Sequence, residues 1–276
     1  MFGIAYRMLG SVSEAEDIVQ DAWIRWQGTA QSIDNPGAFL ATVVTRLSLN
    51  ALDSARSRRE TYIGPWLPEP VDTSADPLLG AERAEALSLA VLLLLERLTP
   101  AERAAYVLHE AFDYPYARIA EVLETSEANA RQLGSRARKH IDSERGVVVT
   151  GAARSRLLEA FLLAAQSGDL AALEQTLALD VSSISDGGGV VGAARKIVGG
   201  RDKVAMLLLG VIDKFAQGIV MHPVIANGEP AMLGVRDGEA IALWTVDIAS
   251  DGVRQLMIVL NPHKLEGFRD AALSHS

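Results

Sequence analysis

The chain has 276 residues, a formal net charge of −9 and no cysteine. That length allows two or three domains. The absence of thiols excludes disulfides, thiolate metal sites and cysteine nucleophiles. No secretory signal is evident, and the longest aliphatic run, Leu89 to Leu95, is too short to span a bilayer, so the composition fits a soluble cytoplasmic protein with no membrane partner. The acidic excess argues against a general nucleic-acid binder. Positive charge is nevertheless concentrated at Arg56–Arg59 and between Arg131 and Lys139. Local clusters govern phosphate contact more than net charge does, so weak binding to free DNA and placement by a partner are expected.

In chain order, residues 3–10 read as a helix with Ile4, Ala5, Met8 and Leu9 apolar. Ser13, with Glu16 three residues on, predicts a capping box opening a helix to Trp26. Its spacing places Ile18, Val19, Ala22 and Trp23 on a buried side and Glu16, Asp17, Gln20 and Asp21 on a polar side. Asn35-Pro36 opens the next helix as cap and first position, running through Phe39, Val43, Val44, Leu47 and Leu52 to the basic run. Tyr62 to Pro77 contains four prolines and reads as an extended linker, in which Trp66 and Leu67 are apolar enough to dock. An apolar helix follows over 81–98. Thr99-Pro100-Ala101-Glu102 combines an N-cap, Pro at the first position and Glu at the third, and starts a helix to about Phe112.

Tyr114 to Ile141 reads as two helices joined by a tight turn, closing a four-helix unit over 84–142. Ser126 is the N-cap of the second. Ala130, Leu133, Ala137 and Ile141 form its apolar back, and Gln132, Ser135, Arg136 and Lys139 its front, with Arg131 and Arg138 on the flank. An apolar back with a basic front lets a helix pack on its own domain and enter a major groove; the same pattern also suits a solvated helix at the edge of a bundle.

After Gly146 the pattern changes. Helices are predicted over Ala152–Gln166, Leu170–Leu179 and Asp202–Phe215. Strands are predicted over Val181–Ser185, Val190–Val198, Ile219–Ala226, Ala231–Val235, Ala240–Ile248 and Val253–Leu260. Asn227-Gly228, Asp237-Gly238 and Asp251-Gly252 mark turns. This order predicts an α+β fold with a curved, mostly antiparallel sheet wrapped on helices. Asp186, His222 and Asp247 are acid–base candidates there, although no spacing fixes them into a site.

The first 146 residues resemble an extracytoplasmic-function (ECF) sigma factor, the promoter-recognition subunit of RNA polymerase. AEDIVQDAWIRW resembles sigma region 2.1–2.2, NPGAFLATVVTRLSLNALDSARSRRE regions 2.3–2.4, and LTPAERAAYVLHEAFDYPYARIAEVLETSEANARQLGSRARKHI region 4. The stretch YIGPWLPEPV and the α+β extension resemble the sigma-J subgroup, which carries a C-terminal SnoaL-like cone. The resemblance implies a region 2 domain over 1–60, a linker with the WLPEP motif over 61–80, a region 4 helix-turn-helix over 81–146, and a SnoaL-like domain over 150–276.

It also implies roles. Asp17, Gln20, Asp21, Arg25 and Trp26 match the surface for the polymerase β′ clamp helices, and region 4 implies contact with the β flap. Arg46, Asn50, Arg56, Arg58 and Arg59 match the −10 element contacts; Ser126, Arg131, Gln132, Ser135, Arg136, Arg138 and Lys139 match the −35 contacts. Trp66, Leu67, Pro68, the run Asp186, Gly187, Gly188, Gly189, and Asn261, Pro262, Lys264, Leu265 match motifs for docking between domains. Departures are Val190 and His263, where the subgroup's motifs carry Lys and Asp, and Asn50 and Asp53 in the −10 helix. No cofactor, metal or catalytic residue is implied; an unidentified small ligand in the cone is compatible with the resemblance. Two other classes stay open on the residues alone: a cyclase- or isomerase-like enzyme fused to a DNA-binding module, and an operator-binding regulator that never meets polymerase.

Overall fold

A computed structural model describes residues 1–29, 33–74, 88–145, 149, 151–215 and 218–273. The chain divides into two compact units: Met1–Thr61 with Asp76–Glu144, and Tyr62–Ala75 with Arg145–Ser276. The linker segment thus belongs to the same unit as the C-terminal domain.

The first unit is all α. Helix α1 (Phe2–Leu9) buries Ile4, Tyr6, Met8 and Leu9 and ends at Gly10, whose φ of 69° closes the last turn through a bond to the Tyr6 carbonyl. This tight exit delivers the chain straight into α2 (Val12–Gln27), capped by Ser11 and not by the expected Ser13. The buried stripe of α2 is Ala15, Ile18 and Ala22. Trp23 lies one step further round and is 55% exposed, with Ile24 57% exposed, against the expectation that Trp23 is buried. The apolar arc of α2 is wider than its neighbours cover.

Helix α3 (Pro36–Glu60) starts where Asn35 accepts from the Ala38 amide, as its Asn-Pro signal requires. Of the predicted 81–98 helix, Leu89–Leu95 is seen as α4; residues 81–87 lie outside the described residues. Helix α5 (Pro100–Tyr106) has the complete Thr99–Glu102 capping box and passes into a π-helical turn over Val107–Ala111. Helices α6 (Tyr116–Val122) and α7 (Glu127–Arg145) form the helix-turn-helix. Ala130, Leu133, Ala137 and Ile141 are buried as the spacing predicts. Gly134 is buried with them for a steric reason: a Cβ there would lie 2.8 Å from the Tyr116 hydroxyl.

Polar groups fasten these helices. Arg103, 3% exposed, donates to the Met8 carbonyl at 2.7 Å and to Glu96 at 2.8 Å. Arg59 pairs with Glu96 and donates to the Leu9 carbonyl.

In the second unit, α8 (Gly151–Ser167), α9 (Leu170–Thr176) and α10 (Arg201–Phe215) accompany six strands: β1 (Leu177–Asp186), β2 (Val198–Gly199), β3 (Val220–Ala226), β4 (Glu229–Arg236), β5 (Glu239–Ala249) and β6 (Gly252–Val259). The sheet order is β2-β1-β6-β5-β4-β3. Strands β3 to β6 form the predicted antiparallel meander, whereas β1 runs parallel to β6, so the sheet is mixed. Phe161, Leu173, Val181, Val204, Leu208, Ile248, Leu256 and Ile258 form the core between helices and sheet. The predicted strand Val190–Val198 is a turn and loop, with only Val198–Gly199 pairing. Gly188 (φ 61°) and Gly189 (φ 74°) break the extended conformation just before it. A short 3₁₀ helix (Pro262–Phe268) and α11 (Arg269–Leu273) close the chain, with Leu265 and Phe268 buried.

The capping box gives a direct stability test. Thr99→Ala removes the hydroxyl that accepts from the Glu102 amide and is expected to cost about 1 kcal/mol, read as a lower urea midpoint by circular dichroism.

Candidate nucleic-acid interface and linker clasp

On α7, Arg131, Gln132, Ser135, Arg136, Arg138 and Lys139 are all exposed, with Gln132, Ser135, Arg136 and Lys139 opposite the buried stripe and Arg131 and Arg138 on its flank. Ser126 caps the helix by accepting from the Asn129 amide at 3.2 Å, which fixes the approach of the face. The arginines are not idle. Arg131 pairs with Glu127 at 2.8 Å and lies over the Tyr116 ring at 5.0 Å. Arg136 pairs with Glu102 at 2.9 Å, and Arg138 with Glu110. Burial works to raise the Glu102 carboxyl, but hydrogen bonds from Thr99 and Arg136 outweigh it and hold it below the ordinary range. The bond to Glu110 raises the Arg138 guanidinium. Each of these three cations therefore holds a carboxylate on the exposed side of the helix.

Helix α3 shows the same arrangement. Asn50 and Arg58 are exposed, with Arg58 on Glu14. Arg59 is turned into the helix bundle, and burial, with Arg103 next to it, pushes its guanidinium down to about 10. That placement makes it a fastener of the bundle. The Arg56 side chain lies outside the described residues. Arg46 bonds the backbone of α6 and borders an open cleft of about 1160 Å³, also lined by Phe39, Thr42, Phe112, Tyr114 and Arg118.

On α2, Asp17, Gln20, Asp21 and Arg25 are exposed on one face, joined there by Trp23 and Ile24. Trp26 is half-buried, its ring 5.9 Å from that of Phe39. Spacing puts Trp23 on the buried side and leaves Ile24 unassigned, because apolar character does not say which neighbours are present to cover it.

The second unit gathers most of the docking motifs around one carboxylate. Asp186 is fully buried. One carboxylate oxygen accepts from the Tyr62 hydroxyl at 2.6 Å and the Gly188 amide at 3.0 Å. The other accepts from the Leu67 amide at 2.9 Å and the Lys264 ammonium at 2.7 Å. The Asp186 carbonyl takes the amides of Leu260 and Asn261. Lys264 also donates to the Leu67 carbonyl and sits 4.4 Å from the Trp66 ring. Burial first, then Asp186, pushes the Tyr62 phenol well above its usual range.

The three glycines are sterically required. A Cβ on Gly187 would lie 2.2 Å from the Val191 carbonyl, on Gly188 2.3 Å from the Asn261 amide nitrogen, and on Gly189 2.9 Å from Ile63. Pro68 and Leu265 are buried around the cluster, while Pro262 is exposed as the first residue of the 3₁₀ helix. The departures Val190 and His263 are both exposed, which leaves the cluster intact.

The linker is held a second time. Thr73 donates its amide to Ile225, Asn227 donates to the Val71 carbonyl, and the Asn227 side chain accepts the Val71 amide, each at 2.9 Å. Asp72 bridges Ala226, so the linker lengthens the sheet at edge strand β3.

The acid–base candidates do not converge. Asp186 is spent in the clasp. His222 pairs with Leu233 and Leu233 with Leu243, four residues before Asp247 on the next strand. Two strand spacings and four residues put His222 and Asp247 about 16 Å apart. Burial pushes the Asp247 carboxyl above its usual range against the pull of Arg154 and Arg254. Among the described residues, no group of acidic or histidine side chains could hold a metal, and no helix is long and apolar enough to cross a membrane.

Two helical parts, one exposing an acidic–apolar helix and one presenting a basic helix-turn-helix, define a protein of the sigma-70 class. Residues 1–60 match the family model of sigma-70 region 2, and residues 88–141 that of sigma-70 region 4. The chain is 40% identical to the ECF RNA polymerase sigma factor SigJ of Mycobacterium tuberculosis, covering 89% of this chain and 88% of that protein. It is 32% identical to the probable ECF sigma factor SigI of the same species, over 96% of this chain and 91% of that protein. The crystal structure of SigJ matches with a TM-score of 0.79 at 37% identity, covering 96% of this chain and 94% of that one. The chain belongs to the ECF RNA polymerase sigma factors.

Two measurements probe the second unit. Asp186→Ala strands the Lys264 ammonium in a buried site and is expected to cost about 3–5 kcal/mol, with new protease sensitivity in residues 62–74. For Asp247 the sign is opposite to that of a paired acid. A raised carboxyl favours the fold when protonated, and that increment is lost as pH climbs above about 4, the unfolded value. Asp247→Asn is therefore expected to melt higher than wild type at pH 7 and to lose that advantage at pH 4.

Proposed function

We propose that this chain directs promoter-specific initiation by core RNA polymerase in the cytoplasm, and that its C-terminal domain regulates it through the linker. The exposed face of α2, with Asp17, Gln20, Asp21 and Arg25, engages the β′ clamp helices, and region 4 meets the β flap. Arg131, Gln132, Ser135 and Arg136 read the −35 element, while Ser126, Arg138 and Lys139 contact phosphate. Arg46 and Asn50 hold the opened −10 strand, with Arg56 and Arg58 on its backbone. The observation that carries the promoter reading is the basic front of α7 on a helix-turn-helix within a sigma-family chain. Regulation rests on the clasp: residues that join the two DNA-binding regions are hydrogen-bonded to Asp186, Asn227 and Lys264 of the third domain. A ligand or partner that binds the docked and undocked forms with different affinities would shift promoter use.

The alternative, an enzyme carrying a DNA-binding module, is disfavoured by the separation of His222 from Asp247 and by the commitment of Asp186 to structure. The C-terminal domain is taken as non-catalytic on that ground.

Reconstituted transcription decides the main reading. Core polymerase with this protein is expected to initiate at a defined promoter; failure across a genomic promoter library would sink the proposal. A second measurement addresses the glutamates. Glu102→Gln keeps the capping box but frees Arg136, so −35 duplex affinity is expected to rise about three- to tenfold at low salt. The gain should be larger on the −35 sequence than on an unrelated duplex, as a base contact requires.

A further inference from the structure

The turn of the helix-turn-helix has an incomplete set of hydrogen bonds of its own. Helix α6 has seven residues and ends with Glu124 in the left-handed region, φ 53°. The Leu123 and Thr125 amides satisfy the carbonyls of Ile119 and Ala120, a C-terminal closure that leaves the last two helical carbonyls without an amide from the turn. Arg46 from α3 supplies them. Its Nη2 donates to the Glu121 carbonyl at 3.0 Å, its Nε to the Val122 carbonyl at 3.1 Å, and its Nη2 lies 3.0 Å from the Glu124 carboxylate. The contact is reciprocated. Arg118 of α6 donates to the Ala38 carbonyl at 3.2 Å and to the Thr42 hydroxyl at 3.3 Å, both on α3. Two arginines pointing in opposite directions thus join the −10 helix to the support helix of the −35 reader.

This arrangement uses the Nε–Nη2 edge of Arg46, the edge that presents two parallel donors to a base or phosphate. The same edge cannot serve α6 and DNA together. We infer that Arg46 is a latch with two exclusive partners, the C-terminal carbonyls of α6 in the free chain and the opened −10 strand in the initiating complex. Capture of the strand by region 2 then releases region 4 from α3, and by linkage release of region 4 makes Arg46 available to DNA. The pair is built to let go: the Arg46 side chain is 43% exposed and that of Glu124 75% exposed, so water replaces the lost bonds on opening. The inference rests on the promoter role given to Arg46 above, but the closed contact is testable without polymerase.

The chain has no cysteine, so Ser54→Cys and Asp142→Cys allow site-specific labelling of α3 and α7 in the full-length protein for single-molecule energy transfer. Arg118→Ala removes the reciprocal contact and Glu124→Gln the ion pair on Arg46, neither touching a proposed DNA contact. The free double variant is expected to show lower transfer than the unmutated labelled chain, and to bind a single-stranded −10 oligonucleotide about three- to tenfold more tightly. The unmutated labelled chain should show the same drop in transfer when bound to core polymerase and promoter. Unchanged transfer in the free variant, unchanged oligonucleotide affinity, or persistence of high transfer in the promoter complex would each overturn the latch. Because the first readout needs no transcription, loss of the latch and loss of the sigma reading give different results.

Discussion

A buried carboxylate is tolerated only when its charge is matched and its lone pairs are filled. Asp186 meets both conditions with donors from its own glycine loop and from two distant parts of the sequence: Tyr62 and Leu67 of the linker, and Lys264. The second unit depends on that convergence. Remove the linker and the carboxylate loses two of its four donors. Remove Lys264 and it loses its counter-charge. The ammonium is in turn positioned by the Trp66 and Tyr62 rings, at 4.4 and 5.1 Å. A domain appended after the DNA-binding regions is therefore incomplete without the segment that precedes one of them.

The first unit solves a different electrostatic problem. A chain with net charge −9 has to present cations to DNA without binding every polyanion it meets. Its candidate DNA-binding arginines at 46, 58, 131, 136 and 138 are each paired with a glutamate. These pairs are partly exposed and weak singly. Together they would set the loss of an existing partner against each proposed DNA contact, which favours a site that offers many correct contacts at once. Placement by polymerase, where region 2 and region 4 meet their elements together, supplies that advantage.

Much of this was legible in the sequence where local chemistry decides local structure. Asn35-Pro36, Thr99 with Glu102, and Ser126 act within one helical turn, and all three begin helices as expected. The apolar back of α7 followed from spacing alone. Failures came where tertiary context decides. Trp23 is apolar yet exposed, because burial depends on which neighbours are present. Arg59 sits in a basic run but turns inward, because Glu96 and the Leu9 carbonyl await it. The parallel pairing of β1 with β6 joins strands far apart in sequence, which no periodicity encodes. Val190–Val198 has strand composition, but the three glycines before it impose a turn. Asn227 was read as a hairpin residue, and it is one; that its side chain would also hold Val71 required a partner more than 150 residues away. For the docking motifs, the resemblance named the residues, and the structure shows what they touch, from the donors on Asp186 to the atoms a Cβ would meet at each glycine.

The two attachments of the linker differ in kind. At the Tyr62–Leu67 end, neutral linker groups bond to a buried ion pair of the C-terminal domain; at the Val71–Ser74 end, backbone, amide and hydroxyl hydrogen bonds run along the edge of β3. An input that changes charge acts on the first and leaves the second untouched. A competing strand that pairs with the sheet edge does the reverse. After either event the freed half stays tethered within a few residues of its seat, at high effective concentration, and recloses unless the other half also lets go. The segment is thus seated at both ends by unlike contacts, so loss of either seat leaves the other holding it.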